Sequence, residues 1–169
     1  MFEWIEKGGF IMKLLLLVNC LGWSLMLWKG ISIYLFNKKI QLNKEKFLSF
    51  MGNFNNENLQ LSEGEKLNMT LFHFMEPFYK GMNTIRIIAS ISPLLGLLGT
   101  VMGILGSFTV IADKGLDNPG LFAEGISLAL ITTVGGLIVA IPHFVGHNYL
   151  KGYLQQSERK LEESLIFGR

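Results

Sequence analysis

Three stretches of the chain are apolar over the length that a bilayer's hydrocarbon core demands, about 20 residues in a helix. They run over residues 11–36, 85–112 and 121–150, and the parts Ile87–Ala112 and Gly125–Leu150 contain no aspartate, glutamate, lysine or arginine. The first carries Lys13 and Lys29 close enough to its ends for the ammonium groups to reach the interface. Lipid offers backbone N–H and C=O groups no partner, so each stretch is predicted to be a helix that crosses the membrane.

Between the first two spans, residues 37–84 form the one sizeable polar segment. Within it Phe47, Leu48, Phe50, Met51 and Phe54, then Leu67, Met69, Leu71, Phe72, Phe74 and Met75, recur at roughly helical spacing around the break "NNENLQLSEGEK". The pattern predicts two helices, the second running on into the span at 85–112 despite Pro77 and Gly81. Fewer than fifty residues cannot enclose a core of their own, so these helices must extend the membrane bundle or pack on another copy. The tail, 151–169, has Leu154, Leu161 and Leu165 among mixed charges and is expected to continue the third helix as an amphipathic extension. Residues 1–10 place Phe2, Trp4, Ile5 and Phe10 between charges, a pattern suited to the membrane interface.

Composition supports a membrane protein. Half of the 169 residues are apolar, 17% are charged and the mean hydropathy is +0.38, too hydrophobic for an ordinary soluble domain of this length. The expected class is an all-α integral membrane protein of three transmembrane helices with cytoplasmic helical extensions. Net charge is only +2 and the basic residues form no aromatic-interleaved patch, so nucleic acid is not an expected partner. Cys20, the single cysteine, reads as a small apolar filler. The stretch "KLLLLVNCLG" is read as part of a retained helix rather than a cleaved leader, because the apolar run continues through Trp23, Trp28 and Phe36. Lys38, Lys39, Lys44 and Lys46 follow the first span, whereas the link at 113–120 carries Asp113, Lys114 and Asp117. Positive charge marks the cytoplasmic side, so the amino terminus is expected outside and the tail inside; Arg86 and Lys151 fit that orientation as interfacial anchors, with Arg86 also placed to meet lipid headgroups.

The stretch "SPLLGLLGTVMGILGSF" holds the chemistry. At about 100 degrees per residue, Ser92, Gly96, Gly99, Gly103 and Gly106 share one narrow helix face with Thr100 and Ser107 at its edge. In the third span Gly125, Ala129, Thr132, Gly136 and Ala140 share another, with Thr133 at its edge. Small residues at this spacing let helix backbones approach closely in lipid, so these glycines are expected to pack the helices together. A membrane threonine ordinarily bonds the carbonyl one turn back; a place for Thr100 and Thr133 on an ion pathway is the alternative that composition leaves open.

These two stretches, "SPLLGLLGTVMGILGSF" and "GISLALITTVGGLIVAIPHFVGHNYL", resemble in order and spacing the paired signature of the ExbB/TolQ/MotA proton-channel family, most like ExbB, over roughly residues 82–152. The resemblance implies a homopentamer in the bacterial inner membrane, the second and third helices lining a pore around the helices of an ExbD-like or TolR-like single-span partner. Such a motor delivers work to a TonB-like protein for transport across the outer membrane or, in a TolQ-like role, to envelope maintenance; a passive membrane scaffold is the alternative from another class. Thr100 and Thr133 match the family's pore threonines, and the shared "AIP" implies a bend at Pro142. Where relatives commonly carry a glutamate in the third-helix motif this chain has Leu128, while Glu124 precedes Gly125.

Threonine hydroxyls cannot hold a transported charge, and intramembrane ionisable groups are the usual markers of a proton path. Outside Glu124 at the outer end, the third span offers only His143 and His147. Their i, i+4 spacing could place two imidazoles on one metal, but no cysteine or carboxylate stands near as a further ligand, so no metal is expected and packing at an interface is the leading reading, ahead of a proton-exit role. Nothing resembles a partnered nucleophile, a phosphate-cradling loop or a carboxylate cleft, so neither an enzyme nor a cofactor is expected. The chain by itself is half of a channel, or no channel.

Overall fold

The computed structural model describes residues 9–38, 45–49, 62–115 and 119–166. Its long elements are α1 (Gly9–Lys38), α2 (Glu63–Tyr79), α3 (Met82–Lys114) and α4 (Pro119–Ile166), with a helical turn at 45–49. No strand occurs among the described residues. Helices α1, α3 and α4 are long and apolar enough to cross a membrane. The chain is an all-α, multi-pass membrane protein. The apolar residues Phe2, Trp4 and Ile5, most of the polar break between the two expected helices, and Asp117 in the link lie outside the described residues.

The chain divides into two compact units, one holding the residues up to Leu25 together with Thr84–Gly146, the other Met26–Asn83 and everything from His147 onward. In the first, α3 and α4 run antiparallel with their backbones almost touching. A Cβ placed on Gly136 would lie 2.6 Å from the Ser92 carbonyl oxygen, and one on Gly96 would lie 2.8 Å from that of Thr132. Further along, Gly103 meets Ala129 and Gly125 meets the Ser107 hydroxyl. Helix α1 runs alongside α4 in the same direction: Met12 and Leu15 pack on Gly135, and Gly22 packs on the His143 ring. Leu97, Val101, Leu105, Ile138, Ile141 and Phe144 point outward, as they must where lipid or another protein chain is the solvent.

The second unit is built around a cluster of Ile33 and Phe36 from α1, Phe47 from the turn at 45–49, Leu71 and Met75 from α2, Met82 at the start of α3, and Leu154 and Leu161 from α4. Thus the polar segment finds its core on the extensions of the spanning helices, as its shortness requires. Phe36 and Phe78 meet at a tilt with 4.5 Å between centroids, and Phe47 meets Phe74 edge-on, a geometry that suits the ring quadrupoles. Two polar bonds fasten the cluster's rim: Asn37 donates to the Tyr153 hydroxyl at 2.7 Å, and Tyr79 donates to Glu158 at 2.6 Å.

Helix α2 begins with a capping box, Ser62 and Glu65 each satisfying the other's backbone N–H; the two bonds from Ser62 hold the Glu65 carboxyl below its usual pKa. Its other end corrects the expectation that α2 runs on into α3. The chain breaks at Lys80, which is extended, and Gly81, at φ +89, a conformation glycine adopts without the strain a Cβ would add. Lys29 donates to the Pro77 carbonyl at 2.9 Å, so an α1 ammonium occupies the partial negative charge at the end of α2.

Burial and the bond to Glu158 push the Tyr79 phenol well above its ordinary value. The folded state therefore binds this proton more tightly than the unfolded one, and the resulting stability is complete below the unfolded pKa of about 10 and lost as pH rises through the folded value. In pH-dependent thermal unfolding, the native chain is expected to lose stability above about pH 10 more steeply than Tyr79→Phe; parallel profiles would dismiss the coupling.

Candidate functional site: the threonine pair between two membrane helices

Where α3 and α4 touch, three threonines crowd one carbonyl. Thr100 on α3 donates toward the Gly96 oxygen of its own helix at 3.2 Å and toward Ala129 of α4 at 3.1 Å. Thr133 on α4 reaches the same Gly96 oxygen at 3.2 Å, as does Thr132, which also bonds Ala129 of its own helix at 2.7 Å. The hydroxyls of Thr100 and Thr133 meet directly, and either can be the donor. The meeting depends on glycine. Gly96 and Gly136 bring the backbones within reach, and Gly99 leaves the space that Thr132 fills. Thr132 is buried, while Thr100 and Thr133 are half-buried, so the pair lies at the edge of the helix contact.

Each expected site residue has a definite place. Gly96, Gly99, Gly103 and Gly136 all lie in the α3–α4 contact. Gly106 does not: nothing lies within 4 Å of a Cβ placed there, and its surface is exposed. The contact ends near Ser107 and Gly125, so the expected packing role of Gly106 within the chain is corrected. Pro142 sits inside α4, which continues as a helix on both sides of it. Arg86 and Glu124 are exposed. His143 is fully buried, its Nδ1 bonded to the Val139 carbonyl at 2.7 Å, and His147 is buried as well. No group of three or more metal-ligating side chains occurs among the described residues.

Leu128 lines an apolar groove of about 470 Å³ with Phe10, Leu14, Leu98 and Met102. Ser92 and Ser107, on the same α3 face, bond carbonyls one turn back, Ile88 and Gly103. The contact thus offers hydroxyl and carbonyl oxygen and no acid. Sequence reading did not anticipate the triple use of the Gly96 carbonyl or the fit of Gly22 to His143. A face pattern shows which residues point one way but not which carbonyl a neighbouring helix will present.

This arrangement defines the class: an all-α, multi-pass membrane protein whose two glycine-faced spans bring threonines together across a backbone contact. The model of the MotA/TolQ/ExbB proton channel family matches residues 35–163, and the chain belongs to that family. It is 39% identical over 91 residues to the biopolymer transport protein exbB1 of Vibrio cholerae, covering 53% of this chain and 40% of that one. To the biopolymer transport protein ExbB of Aquifex aeolicus it is 42% identical over 87 residues, 52% of this chain and 54% of that one. A Helicobacter pylori protein described as a putative biopolymer transport protein, ExbB-like 1, is 30% identical over 163 residues, 86% of this chain and 84% of the other. The matches to the first two span about half of those relatives or less.

Adding a methyl group at Gly136 forces α3 and α4 apart, an overpacking cost of about 1–3 kcal/mol. Gly136→Ala is therefore expected to lower the unfolding temperature in detergent, whereas Gly106→Ala, with open space around it, should leave it unchanged or slightly raised. Equal effects of the two would contradict the contact described.

Proposed function

We propose that this chain is the multi-span subunit of an ion-driven machine of the bacterial inner membrane, assembling as a homopentamer in which α3 and α4 line a pore around two transmembrane helices of an ExbD-like or TolR-like single-span partner. The observation that carries the reading is the Thr100–Thr133 pair, half-exposed at the edge of a contact between two stretches, Ile87–Ala112 and Gly125–Leu150, that hold no carboxylate. Hydroxyls at such a place can donate to and accept from a titrating acid, but they cannot carry the charge themselves. The acid then comes from the partner's helix, and ion passage requires both chains. The amino terminus is outside and the tail in the cytoplasm, following the lysine-rich loop after α1.

Membrane lipids surround the outward-facing apolar side chains, and Arg86 lies at the cytoplasmic headgroup level. Work released by ion flow passes to a TonB-like protein, in keeping with the biopolymer transport named for the relatives. The subunit performs no covalent chemistry and needs no cofactor. Glu124, exposed near the start of α4, serves ion entry at the outer face.

The test is proton flux into vesicles holding this chain with and without the single-span partner. Flux is expected only with both. Thr133→Val keeps the shape but removes a hydrogen bond worth about 1 kcal/mol, a loss that slows flux about fivefold. Unchanged flux in that variant would remove Thr133 from the pathway. In native mass spectrometry, a monomer or dimer that captures no partner would replace the motor reading with a scaffold.

A further inference from the structure

A second polar spot lies away from the threonine pair, ten residues further along α4 and so roughly 15 Å from it along the helix. There the His143 ring is completely buried between α1 and α4, with Trp23 edge-on at 6.0 Å between centroids. Its Nδ1 faces the Val139 carbonyl at 2.7 Å. A carbonyl only accepts, so Nδ1 carries the hydrogen and Nε2 presents a bare lone pair. Nε2 lies against Gly22 of α1, whose missing side chain leaves room for the ring, and it meets no protein donor.

Met12, Leu15, Asn19 and Gly22 form the stripe of α1 that faces α4, since three of the four touch Gly135 or His143 and helical spacing places Asn19 among them. The Asn19 Oδ1 atom is also buried without a donor. One helix contact inside the membrane therefore encloses two acceptors and offers them no hydrogen. A buried acceptor left without a hydrogen is destabilising.

We infer that the α1–α4 contact binds a water molecule that donates one hydrogen to His143 Nε2 and the other to Asn19 Oδ1. No described carboxylate of this unit stands near the ring: the two are Asp113 and Glu124. Glu124 is nineteen residues from His143 on α4, roughly 28 Å of helix, and Asp113 lies at the same end of α3. Buried waters ordinarily hold two to four polar partners, and this pair supplies the minimum. Gly22 is what allows it, because any Cβ there would collide with Nε2 and expel the ring. The inference does not depend on the ion-channel reading.

The experiment is solid-state NMR of the full chain in phospholipid bilayers with 15N-labelled histidine, the His143 signal being identified by its disappearance in His143→Phe. The expected result is a neutral ring protonated at Nδ1 whose Nε2 receives magnetisation from water protons. In Asn19→Leu that transfer should be lost while the signals of His73 and His147 stay in place, which also reports that the variant folds; Asn19→Ser, which retains an oxygen, should preserve it in part. A dry Nε2 in the native chain, an Nε2-protonated ring, or transfer from the Asn19 amide instead of water would each overturn the inference. Transfer that persists in full in Asn19→Leu would overturn the role of Asn19.

Discussion

Much of what the membrane part of this protein does rests on an absence: the lack of side chains where α3 and α4 cross. In water, two apolar helices are driven together by the solvent they exclude. Lipid supplies no such force, and association depends on close packing and on polar bonds between helices. Gly96 and Gly136 bring the backbones close enough that hydroxyls on one helix reach carbonyls of the other. The glycines weaken each helix taken alone, but the contact they permit is the scaffold on which the threonines stand.

The second unit solves a different problem. A short polar segment cannot bury its own apolar face, so Phe47, Leu71 and Met75 use the α1 and α4 extensions as the rest of their core. Polar fastenings then sit where they cost least, at the rim: Tyr79 on Glu158, Tyr153 on Asn37, and Lys29 on the end of α2. Lys29 shows how one residue can answer two demands. The end of its stem lies against Gly81, and its ammonium satisfies the Pro77 carbonyl where α2 ends at the Lys80–Gly81 corner.

The spans, their glycine faces and the threonine positions were legible in the sequence because each follows from a local period: twenty apolar residues, or small residues every three or four. The polar segment was legible only in part. Apolar spacing around Leu71 and Met75 marked α2, but Gly81 alone did not say whether it would be tolerated inside a helix or used at positive φ, since that is decided by Lys29, far away in sequence. Gly106 failed for a related reason: it lies near the face of Gly103, yet at that level α4 is met by Ser107 instead. Which carbonyl the threonines would share was likewise beyond periodicity, because it depends on the register between two helices.

The hydroxyl pair also has a symmetry in its hydrogens. If Thr100 donates to Thr133, the Thr133 hydrogen goes to the Gly96 carbonyl; if Thr133 donates to Thr100, the Thr100 hydrogen goes to the Ala129 or Gly96 carbonyl. Every hydroxyl hydrogen has a protein acceptor in either arrangement, and no heavy atom must move to exchange them. The pair is thus a reversible dipole in a fixed frame, able to present its positive or its negative end as the charge beside it changes, on the timescale of a bond rotation rather than of a helix movement.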